Sequence, residues 1–167
     1  FGAGLKGAAG ATEVEVAGQP AEVLASFPFQ VNFVIPRGLA PGSHPITIRS
    51  PYGSLTQTVA VQAVSPAVFL LGGGQPAVVN QDGSINSSST PATRGEAITV
   101  YATGFGEVER RGNLDYVVAH VTATVAGRPL GVQFAGLAPG YSGLNQLNLI
   151  IPVDAPPGLA QELSLTA

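Results

Sequence analysis

Apolar and polar residues alternate along much of this chain. Around residues 12–17, Val14 and Val16 fall on one face and Glu13 and Glu15 on the other, the period of a half-buried strand. Val31, Phe33 and Ile35 share a face just before Pro36, and Leu147, Leu149 and Ile151 do the same before Pro152. Proline cannot donate to a ladder, so both runs are predicted to stop there. Residues 46–49 and 55–64, flanking Ser50-Pro51-Tyr52-Gly53, read as a hairpin, and residues 98–103 and 119–126 as two further strands. No segment keeps a helical period. Short strands at close spacing without helices predict an all-β sandwich.

The alternating runs also recur. Val16-Ala17-Gly18-Gln19-Pro20 returns as Val125-Ala126-Gly127-Arg128-Pro129, each followed by a valine, Val23 or Val132. Gln30-Val31-Asn32-Phe33-Val34-Ile35-Pro36 returns as Gln146-Leu147-Asn148-Leu149-Ile150-Ile151-Pro152, and Pro41-Gly42 as Pro157-Gly158. Three blocks in one order predict an internal duplication, giving two tandem immunoglobulin-like β-sandwich units over residues 1–64 and 65–167. Equivalent cores are expected, Val14, Val16, Val31, Phe33 and Ile35 in the first and Ala123, Val125, Leu147, Leu149 and Ile151 in the second. Each Ala-Gly between alternating runs reads as a tight hairpin turn. The second copy carries an insertion at residues 136–143, rich in Gly and Pro and expected as a projecting loop. Residues 72–94, polar and turn-rich, are expected to wrap the second unit.

The duplication implies that both units are incomplete. Phe1-Gly2-Ala3-Gly4-Leu5 is similar to Tyr101-Ala102-Thr103-Gly104-Phe105, so the first unit lacks a counterpart to residues 66–100. Ala167 falls near the position of Ser50, so the second lacks a counterpart to residues 55–64. Missing strands are expected to come from flanking sequence or from a neighbouring molecule by strand donation, which would make the chain a filament subunit.

Composition narrows the function. Charged residues are 10% and hydrophobic residues 45% of the chain, which supplies a core and no signature of disorder. The 22 Gly and 14 Pro have no collagen period and mark turns instead. Seven Lys plus Arg, scattered singly within a net charge of −3, form no stripe for phosphates, so nucleic acid and anionic membrane surfaces are not expected partners. No apolar run is long enough for membrane insertion as a helix. The lack of Cys suits an extracellular or cell-surface location.

Reactive chemistry is sparse. His44 and His120 lie in different repeats without a ligand partner at metal spacing, and His44 is expected as a solvated turn residue. Asn80-Gln81-Asp82-Gly83-Ser84-Ile85-Asn86 places oxygens around a Gly as a calcium loop does, but lacks the distal Glu; Asp-Gly is also a common turn. No Gly-x-Ser-x-Gly elbow occurs, and the carboxylates fall on strand exteriors or loops. Gly104-Phe105-Gly106 and Gly72-Gly73-Gly74 precede no helix that would bind phosphate, and read as strand ends and linkers. No catalytic residue, cofactor or metal is therefore expected. Tyr52, Tyr116 and Tyr141, all expected in loops, and Leu137 in the insertion are the candidate partner contacts, because loop aromatics anchor proteins and stack on sugars.

Several of these blocks resemble one family. Val-Ala-Gly-Gln-Pro-Ala-Glu-Val from Val16, Gln30 to Pro36, Ser65-Pro66-Ala67-Val68-Phe69, Asn80 to Asn86, Tyr101 to Gly106, and Ala135-Gly136-Leu137-Ala138-Pro139-Gly140 are similar to the uncharacterised C-terminal domain first catalogued in Solibacter and other Acidobacteria. The resemblance covers nearly the whole chain and departs from the family pattern at both ends. It implies tandem immunoglobulin-like units at the C-terminus of a large secreted or surface protein, with no catalytic residues assigned. The expected function is a non-catalytic structural or adhesive module whose partners are copies of itself or neighbouring domains. The alternative is a glycan-binding module of a secreted enzyme.

Overall fold

A computed structural model describes residues 12–167. The resemblance of Phe1-Gly2-Ala3-Gly4-Leu5 to the Tyr101 segment lies outside the described residues. These form an all-β structure of antiparallel sheets, with one short 3-10 turn at Gly72–Gly74 and no α-helix among them. The chain divides into two compact units, the first ending at Ala63 and the second beginning at Val64.

Unit 1 contains β1 (Glu13–Val16), β2 (Gln19–Ala21), β3 (Val23–Phe27), β4 (Gln30–Phe33), β5 (Gly42–Ser50) and β6 (Gly53–Val61). Its main sheet runs in the order β2-β1-β5-β6, and β3 pairs with β4 as a separate ribbon. Val14 and Val16 are buried, as their alternation with Glu13 and Glu15 predicts. The strand containing Val31 and Phe33 ends before Ile35, however, and Ile35 is exposed, not a core residue. The adjoining Val34 N–H bonds only back to the Glu22 carbonyl, whereas Ile151 in the second repeat is held between the carbonyl of Glu96 and the N–H of Gly95. Ile151 is therefore pinned to the turn that leads into β9, and Ile35 has no such bond among the described residues. His44, expected in a turn, instead lies within β5 and its Nε2 meets the Ala40 carbonyl at 2.8 Å.

Unit 2 contains β7 (Ala67–Val68), β8 (Val78–Asn80), β9 (Ala97–Thr103), β10 (Val108–Arg111), β11 (Leu114–Val117), β12 (Thr122–Val125), β13 (Arg128–Pro129), β14 (Gly131–Leu137), β15 (Asn145–Ile150) and β16 (Leu163–Thr166). One sheet follows β10-β11-β14-β15-β9-β7, with β8 also on β9; a second follows β13-β12-β16. Both contribute to one core, in which Ile98, Val100, Leu147 and Leu149 meet Ala123, with Leu163 and Leu165 packed against them. The segment expected only to wrap this unit also enters it, since Ala77 and Val78 are buried and β8 pairs with β9. Burial of that pair explains why a Gly- and Ser-rich stretch stays attached to the sheet.

The corresponding parts of the units share their register. Val16 faces Ile46 and Val14 faces Ile48; likewise Val125 faces Leu163 and Ala123 faces Leu165. Val23 pairs with Phe33 and Val132 with Leu149, and in each ribbon one residue then bulges out, between Val23 and Ala25 or between Val132 and Phe134. The Ala-Gly turns match as well: Ala17 and Gly18 have φ of 51° and 76°, Ala126 and Gly127 of 48° and 73°. Two successive left-handed residues make the type I′ turn whose twist suits a two-residue hairpin.

Candidate functional site

Unit 1 carries an open apolar groove. Phe33 of β4, Ile46 and Ile48 of β5, and Leu55, Gln57 and Val59 of β6 line a cavity of about 140 Å³. The alternation in β6 turns Leu55, Gln57 and Val59 to the same face, opposite Thr56 and Thr58. Leu55 stays 56% exposed, and Leu24, Phe27 and Phe29 on and beside the β3–β4 ribbon are also exposed. Such a concentration of uncovered apolar side chains marks an interaction surface more often than a free face.

Each unit has strands with a single partner among the described residues. Among the described residues β4 pairs only with β3, and β16 only with β12. Their structural counterparts have a second partner: β15 carries β9 beyond β14, and β5 carries β6 beyond β1.

The tyrosines are not brought together. Tyr52 lies at the β5–β6 turn in unit 1, 75% exposed, and Tyr141 at a turn in unit 2, 66% exposed. Tyr116 is not a loop residue: it sits in β11, half-buried, because its ring packs edge-on to Phe134 at 5.1 Å and under the Arg111 guanidinium at 5.1 Å. Leu137 likewise belongs to β14, opposite Asn145, so the projecting loop begins only after it. That loop is closed by Ala138, which is buried and bonds to Leu144 and Tyr141 through its backbone. The Tyr116–Phe134 contact was hidden from sequence reading because it joins two strands, β11 and β14, whose pairing alternation does not reveal.

Several titratable groups have structural partners. Glu15 meets Arg49 at 2.7 Å, Asp115 meets Arg110 at 3.1 Å, Glu109 pairs with Arg111, and Asp154 lies 3.8 Å from Arg128. The hydrogen bond from Arg49 holds the Glu15 carboxyl below its ordinary range despite some desolvation. Asp82 accepts from both the backbone N–H and the hydroxyl of Ser84, which likewise lowers its pKa. Asn80 bonds to Ser84, Thr90 and Asn86, so the oxygen-rich loop is laced to itself as a turn. Among the described residues no three His, Asp or Glu gather where a metal would be held. No described helix is long and apolar enough to cross a membrane.

Gly104 explains the glycine-rich sequence near β9. At φ of +81° a Cβ there would lie 2.0 Å from the Ser65 carbonyl oxygen, and the Ser65 N–H bonds to the Gly104 carbonyl at 2.7 Å. Phe105 beside it is fully buried, so this Gly-Phe-Gly run serves chain crossing and core filling. Compared with family models and with curated proteins, the chain matches none.

Proposed function

We propose that this chain is a non-catalytic structural or adhesive module of a secreted or cell-surface bacterial protein. In this reading its two immunoglobulin-like units arose by duplication, and it assembles by strand addition. The observation that carries the reading is the combination of matched registers with unmatched edges. The paired strands β1–β2, β1–β5 and β3–β4 share their registers with β12–β13, β12–β16 and β14–β15, while among the described residues β4 pairs only with β3 and an apolar groove lies beside its Phe33. An open edge with apolar residues beneath it is the arrangement that accepts a further strand, the backbone supplying affinity and the pockets specificity. Surface ion pairs such as Glu15–Arg49 and Asp115–Arg110, and the Asp82–Ser84 turn, suit a structural role. The resemblance to the Solibacter and Acidobacteria C-terminal domains agrees with a location outside the cell.

The natural protein's intact mass and its size in solution test this. Regular polymers, or retention in a surface layer together with longer flanking domains, are the expected result. A small monomer confined to the cytoplasm overturns it.

A second reading has one observation in its favour. Tyr52 and Tyr141 each expose a ring at a turn, the presentation used to stack on sugar faces. A glycan array on which the chain binds, with binding lost in Tyr141→Ala or Tyr52→Ala, would place it as a carbohydrate-binding accessory module.

A further inference from the structure

Strand pairing gathers polar and aromatic side chains on the outer face of the larger sheet in unit 2. Along β9 and β15 burial alternates strictly. Val100, Leu147 and Leu149 are closed in the core, while Thr99, Tyr101, Gln146 and Asn148 turn the other way and stay partly exposed. Directly opposed residues of an antiparallel pair share a face of the sheet. Tyr116, Gly136, Gln146 and Tyr101 are opposed in turn across β11, β14, β15 and β9, and Phe134, Asn148 and Thr99 form the next row. Three strand spacings make the first row about 14 Å long, the reach of an extended ligand and not of a single ring.

The middle of this face holds unspent hydrogen-bonding groups. Asn148 Oδ1 accepts from Gln146 Nε2 at 3.0 Å and from Thr99 Oγ1 at 3.3 Å. These bonds fix both amides and leave the Asn148 Nδ2 donors and the Gln146 Oε1 acceptor without a partner among the described residues. At one end Phe134 reaches over Gly136, where a Cβ would meet its ring at 2.6 Å, and packs edge-on to Tyr116. Tyr101 stands at the other end.

We propose that this face of β11, β14, β15 and β9 binds a neutral oligosaccharide. The proposal deepens the carbohydrate-binding reading, on which it rests, and places the contact on the sheet instead of at the turn tyrosines. A sugar hydroxyl both donates and accepts, which matches an amide donor beside an amide acceptor. Because the two amides are already held, little freedom is lost when a ligand meets them. The flanking rings offer apolar faces with a polar edge, the combination that meets the C–H side of a sugar. An acidic glycan would call for an unpaired cation, and here Arg110 is paired with Asp115 and Arg111 with Glu109. The core of a protein interface is apolar, whereas the middle of this face is two amides and a hydroxyl.

The test screens the whole chain against an array of neutral and acidic oligosaccharides, then titrates the best neutral binder while amide NMR shifts are followed. Saturable binding is expected, with shifts centred on residues 99–101 and 146–148. Asn148→Asp keeps an acceptor for Gln146 and Thr99 but removes the unspent donors, and should weaken binding at least about tenfold. Gln146→Ala should weaken it about three- to tenfold. Both side chains are partly exposed, and thermal unfolding checks that each variant keeps its fold. Binding that both folded variants retain, and that Tyr52→Ala or Tyr141→Ala abolishes, removes this face and leaves the carbohydrate reading standing. A silent array removes both. Binding confined to acidic glycans overturns the proposal. So do shifts on this face that grow with protein concentration and ignore added glycan, which would assign it to a second copy of the chain.

Discussion

Phe33 and Leu149 hold the same register position, opposite Val23 and Val132 respectively, yet Leu149 is fully buried while Phe33 lines an open cavity. The difference lies in what covers them. Leu149→Ala should cost unit 2 about 3 to 5 kcal/mol, the range for emptying a closed core site. Phe33→Ala should cost unit 1 clearly less, about 1 to 2 kcal/mol, because its ring is only partly removed from water. Denaturant unfolding monitored separately for each unit compares them; equal losses would show that Phe33 is enclosed.

A methyl group at Gly104 meets the Ser65 carbonyl at 2.0 Å, whereas at Gly18 nothing lies within 4 Å. Both residues are left-handed, so both substitutions carry the backbone cost of about 1 kcal/mol. Gly104→Ala should exceed Gly18→Ala by a further roughly 2 kcal/mol or more, since backbone must move to relieve the overlap. Thermal unfolding of the two variants is the check, and similar melting temperatures would contradict the close approach.

The type I′ turns can be improved. Alanine at positions 17 and 126 has φ of 51° and 48°, a conformation that Asn tolerates better. Ala17→Asn and Ala126→Asn should each stabilise their unit by about 0.5 to 1 kcal/mol by creating Asn-Gly turns. A loss of stability in either would mean that the alanine methyl packs in a way the turn geometry does not require.

Stability of unit 1 should carry a small acid limb from Glu15. Its carboxyl is held below the ordinary range by Arg49, so the contribution is present above the unfolded-state pKa and lost as pH falls through the folded-state value. Glu15→Gln should flatten that limb on the acid side of the ordinary glutamate range. Because both partners are partly exposed, added salt should weaken the effect. An unchanged pH profile in the variant would show that the pair is energetically silent.

The period-two alternation made β1, β4, β9 and β15 legible in the sequence, because each has one face toward a core and one away. The repeated Ala-Gly located both hairpin turns, since few residue pairs accept two positive φ values. Ile35 escaped the same reasoning: its pattern equals that of Ile151, and only the presence of Glu96 and Gly95 beside Ile151 separates them. His44 was hidden in the same way, because a Pro-Gly-Ser-His run reads as a turn until the long partner β6 extends β5 back to Gly42. The groove itself could not be read from composition. It is a property of which strands are neighbours, and alternation carries no information about that.

The bulges after Val23 and Val132 have a geometric consequence. The extra residue lies in β3 and in β14, and a bulge bends its own strand and increases the local right-handed twist of the ribbon. Flat stacks of identical chains need straight edges that repeat without limit. A ribbon twisted in this way does not offer the straight, repeating edge that such stacks require.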